Sequence, residues 1–82
     1  MMEPTYWNVD IAEVLDDVKS ELVKATKKFG HFSSPHEGYA ILLEEVDELW
    51  TEVKQGTPQH MREEAIQVAA MAIRFILDSC ND

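Results

Sequence analysis

With 82 residues the chain has room for one domain, and a domain of that size buries only about 60% of the surface its unfolded chain exposes. Sixteen acidic residues against seven basic ones give a net charge of −9, which argues against a DNA or RNA binder, because such proteins need a basic patch. The hydrophobic fraction of 45% is too high for a disordered chain and generous for a small monomer, so burial between subunits is expected.

The single cysteine, Cys80, excludes a disulfide within the chain, and no Cys/His zinc pattern is present. The opening "MMEPTYW" has neither a basic n-region nor an apolar h-region. The longest apolar run, Val68 to Ile73, is far too short to span a bilayer. These features predict a soluble, cytoplasmic protein with no membrane partner.

The first periodic segment covers about residues 10–29. Ile11, Val18 and Ala25 recur every seven residues, as do Leu15, Leu22 and Phe29, and Val14 widens this heptad-like stripe. Asn8 or Asp10 is the expected cap, with Asp10 and Glu13 at capping-box spacing, and Trp7 is expected to precede the helix. Lys27 and Lys28 suit the last turn, and Gly30 is placed to end it.

The second helix is predicted over 35–55. Ser34 stands as N-cap, Pro35 at the first position, and Glu37 three residues after the cap. Its apolar stripe is Tyr39, Leu42, Leu43, Val46, Leu49, Trp50 and Val53. "GTPQ" then breaks the chain, and Thr57 with Pro58 opens a third helix over 58–78. That helix is apolar on nearly every side in its middle, which predicts a central position. The fold class is all-α: a single domain spanning 1–82, with three main helices. Three such helices do not surround an apolar central helix, so a homodimer or homotetramer completing a four-helix bundle is expected.

Helical geometry advances about 100° per residue, which places Glu45 and Glu48 as neighbours at the edge of the second helix's apolar stripe. Glu44, Asp47 and Thr51 turn toward solvent. Adjacent carboxylates repel, and a divalent cation would offset the cost. On the third helix Glu64, Gln67, Met71, Arg74 and Asp78 form one row. If the two edges face each other, up to four oxygen ligands converge, a hard donor set that suits Mg²⁺ or Mn²⁺. The alternative is that these acids are solvated helix faces.

Around them, Lys54, Arg74 and the Lys24, Lys27, Lys28 group are candidates for phosphate contact, with a solvated helix end the alternative for the lysine group. Arg74 is equally placed to pair with Asp78 one turn on. Trp50, Tyr39 and Trp7 are candidates for base stacking, with core packing the alternative for Trp50 and Tyr39. His36, at the second helix's N-terminus, is a candidate substrate contact or a surface residue. Gly38 leaves room either for a nucleotide or for a close helix crossing. His31 and His60 have no distinctive setting.

"EEVDE" at 44–48 resembles the EExxE element of MazG-like all-α nucleoside triphosphate pyrophosphohydrolases, and "EAIQ" at 64–67 stands where that family has ExxD. The wider string "HEGYAILLEEVDELW…EEAIQVAAMAIRF" is similar to small phage- and mobile-element-type members, and the resemblance spans about residues 10–78. It implies a helical bundle built from dimers, sometimes paired into tetramers. It also implies Mg²⁺-dependent cleavage of (d)NTPs to monophosphate and pyrophosphate, for nucleotide-pool house-cleaning. Carried over by position, the metal ligands are Glu45, Glu48 and Glu64, with Gln67 in place of the usual Asp. Glu45 or Glu48 is the expected group for activating water, and the residues do not choose between them. Two other readings stand beside this one: a non-catalytic nucleotide- or protein-binding module of the same fold with a site weakened at Gln67, and a plain helical oligomerisation domain.

Overall fold

A computed structural model describes the backbone of residues 4–80 and the side chains of residues 10–80. Among the described residues there are three α-helices and no strand: α1 (Pro4–Phe29), α2 (Pro35–Gln55) and α3 (Pro58–Ser79). The second and third match the expected bounds to within a residue. The first starts six residues earlier than expected, so Asn8 and Asp10 lie inside it rather than at its N-cap. The physical reason is Pro4, whose fixed φ suits a first helical turn and whose missing N–H is not needed there. Trp7 is helical rather than upstream of α1, and the roles expected of its side chain lie outside the described side chains.

The other caps follow from the sequence. Gly30 adopts φ +73° and donates its N–H to the Thr26 carbonyl at 2.9 Å, closing α1 in a conformation that glycine reaches without strain. Ser34 Oγ accepts from the Glu37 N–H at 3.1 Å, while Glu37 reaches back to accept from the Ser33 N–H at 2.6 Å. The Ser33 backbone and side-chain bonds hold the Glu37 carboxyl below its ordinary pKa. Thr57 Oγ1 accepts from the His60 N–H at 3.2 Å and opens α3.

The central position of α3 is observed: it packs against both α1 and α2, whose backbones lie further from each other than either does from α3 among the described residues. Val18 and Ala25 of α1, Phe32 of the α1–α2 loop, and Ala70 and Met71 of α3 form the buried core, with Leu22, Ile41, Leu42 and Ile73 packed on it. Only part of each predicted stripe is used. Ile11, Leu15 and Phe29 of α1 stay exposed, as do Tyr39, Leu43, Val46, Trp50 and Val53 of α2. Packing against α3 covers one flank of each stripe and leaves the other open. No helix among the described residues is long and apolar enough to cross a membrane.

The loop between α1 and α2 is fastened to α3 from two sides. Arg74, 4% exposed, donates to the Gly30 carbonyl, places its guanidinium 4.2 Å from the Phe32 ring centroid, and sits 3.4 Å from Met71 Sδ. A buried guanidinium is tolerated only when its donors are satisfied, and here a carbonyl and an aromatic face do so. Asp78 does not take Arg74 as its hydrogen-bonding partner. It accepts instead from the Phe32 N–H at 2.9 Å and lies 2.8 Å from His31 Nδ1, so the histidine with no distinctive sequence setting belongs to the fastening. The Phe32 and His31 bonds pull the Asp78 carboxyl below its ordinary range.

Gly38 resolves in favour of the close crossing. A Cβ built there would lie 2.8 Å from Phe32 Cδ2 and 2.9 Å from Phe75 Cδ2. Alanine gains about 1 kcal/mol of helix propensity over glycine, while overpacking typically costs about 1–3 kcal/mol. The Phe32 ring is pinned by Arg74 and cannot step aside cheaply. Gly38→Ala is therefore expected to lower stability in chemical denaturation by about 1 kcal/mol, against the propensity trend.

Candidate metal centre

The link between α2 and α3 is only Gly56 and Thr57, so the two helices form an antiparallel hairpin whose register is set at its turn. Two contacts bracket that register. His60 Nδ1 lies 3.7 Å from Glu52 Oε1 near the turn, and Gly38 abuts Phe75 at the far end. Stepping between these contacts in opposite directions along the two helices brings Glu48 opposite Glu64 and Glu45 opposite Gln67. The two edges expected from the sequence do face each other.

One carboxylate oxygen from each of Glu45, Glu48 and Glu64 lies within 4.8 Å of the others. Glu45 and Glu64 are half-buried and Glu48 is exposed. Glu64 Oε1 is buried and has no hydrogen-bond donor. Burial raises the Glu45 pKa, and the charges of Glu48, Glu64 and Glu44 add to it. Burial also raises Glu64, followed by the charge of Glu48 and a contact with Glu48 that becomes a hydrogen bond only when one of the two carries a proton. With both ionised, the orphaned oxygen is left with no donor. A proton, a bound water or a cation would each supply the missing partner.

Beside the cluster, a cavity of about 390 Å³ opens between α1 and α2 and is floored by α3. Gln67 lines it next to Glu45, Ile41 and Phe29 flank it, and Arg74 sits in its wall. The structure thus brings Arg74 to the same cleft as Glu45 and Gln67, although its guanidinium is engaged by Gly30 and Phe32. Trp50, Lys54 and His36 are not brought there. All three lie on the other flank of α2, more than about 100° round the helix from Glu45. Lys54 Nζ stacks 5.6 Å from the Trp50 ring centroid, an exposed pairing along the helix.

Sequence reading passed over Glu21 of α1. This half-buried carboxylate lines the same cavity, and its charge also reaches Glu45. Its place three residues after the buried Val18 marks it as lying near the packed face of α1. No protein-family model matches the chain, and neither a curated protein nor a solved structure matches it.

The pKa directions give a stability prediction. A carboxyl whose folded-state pKa lies above its unfolded value stabilises the native state least when ionised. The cost of Glu45 and Glu64 therefore appears as pH rises from about 4.5 through their raised values, and persists at neutral pH. Without metal at pH 7, Glu64→Gln is expected to raise the melting temperature by about 2–4 °C, the value of relieving one like-charge contact in a domain this small. The gain should shrink when the melts are repeated near pH 4.

Proposed function

We propose that this chain is a MazG-like nucleoside triphosphate pyrophosphohydrolase. It converts (d)NTPs to monophosphate and pyrophosphate with Mg²⁺ or Mn²⁺, in a nucleotide-pool house-cleaning role. The observation that carries the reading is the convergence of Glu45, Glu48 and Glu64 around a buried, donorless Glu64 oxygen. Three hard oxygen donors from two helices fit a small divalent ion, which binds through a few carboxylates and keeps room for water and phosphate oxygens. Glu45, Glu48 and Glu64 would hold it.

When bound, such an ion neutralises phosphate charge, polarises the α-phosphorus and lowers the pKa of an attacking water. The protein's own residues orient and deprotonate. Glu48 or Glu45, whichever is not fully committed as a ligand, accepts the proton from water as the water oxygen bonds to the α-phosphorus. The bridging P–O bond breaks and its electron pair leaves with pyrophosphate. The net charge of −9 would repel a bare polyphosphate, so productive binding depends on the cation. The cavity beside Glu45 has the volume of a small-ligand site and apolar walls for the remainder of the nucleotide.

Gln67 favours a second reading, a nucleotide-binding module of the same fold without turnover, because it removes one charge where the family has a carboxylate. An assay of each dNTP and NTP with Mg²⁺ separates the two. The hydrolase reading expects pyrophosphate from at least one substrate and its loss in Glu48→Gln. Binding without pyrophosphate under Mg²⁺ or Mn²⁺ would establish the module instead.

The proposal extends to assembly. Tyr39, Leu43, Val46, Trp50 and Val53 follow one another at alternating spacings of four and three, the period of a helix–helix seam, and each is at least 40% exposed. A second copy laid along this seam would complete a four-helix bundle as a homodimer, with a homotetramer as a pairing of dimers. Sedimentation is expected to show a mass of two or four chains for the native protein. Val46→Glu should shift it toward one, and a monomeric native protein at micromolar concentration would refute the bundle.

A further inference from the structure

We propose that Glu21 of α1 is a positioning carboxylate of the same site, supplying from across the cleft the negative charge that Gln67 lacks. The inference rests on the metal-dependent reading above. It starts from where Glu21 lies. A second cavity, between α1 and the first half of α3, is lined by Glu64, Arg62 and Ser20. Glu21 and Gln67 are the two residues that line both this cavity and the one beside Glu45. They form the saddle between the two openings, with α1 contributing the carboxylate and α3 the amide. One opening leads to Glu45 and the other to Glu64.

Among the described residues, Glu21 has only a weak partner to account for a carboxylate there. The Glu21 side chain is 18% exposed, and its ion pair is with Lys24 at 3.7 Å, a side chain that is 74% exposed. A pair that long and that solvated contributes little. The other cations near the saddle are committed elsewhere: Arg62 bonds Asp17 at 2.8 Å, and Arg74 is spent on Gly30 and Phe32. Glu21 therefore adds a further negative group to a region that already holds Glu44, Glu45, Glu48 and the donorless Glu64 oxygen. Its presence is intelligible if the region holds a cation.

Glu21 is not one of the three oxygens that converge within 4.8 Å. It acts at the edge of the site, as a counter-charge and as an acceptor for water held there. Outer carboxylates of this kind typically change metal affinity by 10- to 100-fold. Gln67 lines the saddle with a neutral amide and supplies no charge, so Glu21 would restore from a different helix the net charge of an ExxD-type site.

Mn²⁺ binding measured by calorimetry, without nucleotide, tests this. Glu21→Gln is expected to weaken Mn²⁺ binding by about 10- to 100-fold. Adding Gln67→Asp to that variant should recover most of the loss, because the charge returns to the opposite side of the saddle. Lys24→Met should leave affinity unchanged or tighten it, whereas a merely structural Glu21–Lys24 pair predicts the same loss from either substitution. Melting without metal is the fold control: Glu21→Gln should melt no lower than the native chain, since it removes a like charge and keeps the shape. Affinity within twofold of native in Glu21→Gln, with binding lost in Glu64→Gln, overturns the role of Glu21 and leaves the metal-dependent reading standing. Equal losses from Glu21→Gln and Lys24→Met also overturn it. Absence of Mn²⁺ binding in the native chain overturns both.

Discussion

The α2–α3 hairpin is the constraint on which the rest depends. Its link has two residues, so the antiparallel partners of each α2 position are decided at the turn. The Glu52–His60 contact and the seating of Gly38 under Phe75 hold that register at both ends. Between them, Glu45, Glu48 and Glu64 have no freedom to avoid one another. A slip of one residue would turn the α3 partners by about 100° and disperse the cluster. Like-charge repulsion at the middle of the hairpin is opposed by apolar packing toward its far end.

That packing is organised around a cation. Arg74 lies in the same row of α3 as Glu64, yet its guanidinium turns into the α1–α2 loop. The Gly30 carbonyl, exposed by the left-handed turn that ends α1, gives the guanidinium an acceptor, and the Phe32 ring gives it a face. Phe32 in turn fills the space that Gly38 leaves open. Asp78, one turn beyond Arg74, holds the same loop by the Phe32 N–H and His31. The arginine of that row is thus committed to the scaffold, with its guanidinium engaged by Gly30 and Phe32 rather than by the acids.

Local signals read well from the sequence because they are governed by neighbouring residues. Ser34 with Pro35 and Glu37, Thr57 with Pro58, and Gly30 each act within one turn, and each ends or begins a helix where expected. The facing of Glu45 and Glu48 on Glu64 was legible as a condition on helical phase, and the hairpin meets it. The start of α1 was misplaced because two plausible caps, Asn8 and Asp10, competed with Pro4, whose ring also suits a first helical turn. Glu21 and the Asp78–His31 contact were not legible. Both depend on which residues of distant segments meet, and no periodicity within one helix encodes that. The apolar stripes showed which residues avoid water but not which neighbour covers them, so the exposed flank of α2 emerges only from the three-helix arrangement.

The exposed flank and the acidic edge belong to one helix, and their magnitudes decide how the helix tolerates both. A like-charge pair on a helix surface costs a few tenths of a kcal/mol, and partial burial of Glu45 and Glu64 raises that cost without approaching a fully buried ion. Full burial of a large apolar side chain is worth about 1.5–3 kcal/mol. Tyr39, Leu43, Val46, Trp50 and Val53 retain about half of their surface in water, so covering the seam with a second copy would contribute several kcal/mol, well above the repulsion. In the proposed assembly α2 is therefore held by its seam while its other edge stays electrostatically unsatisfied. In that assembly the proposed cation site would not have to be filled for the chain to fold, and the helix that keeps the carboxylates together would also be the one that joins the subunits.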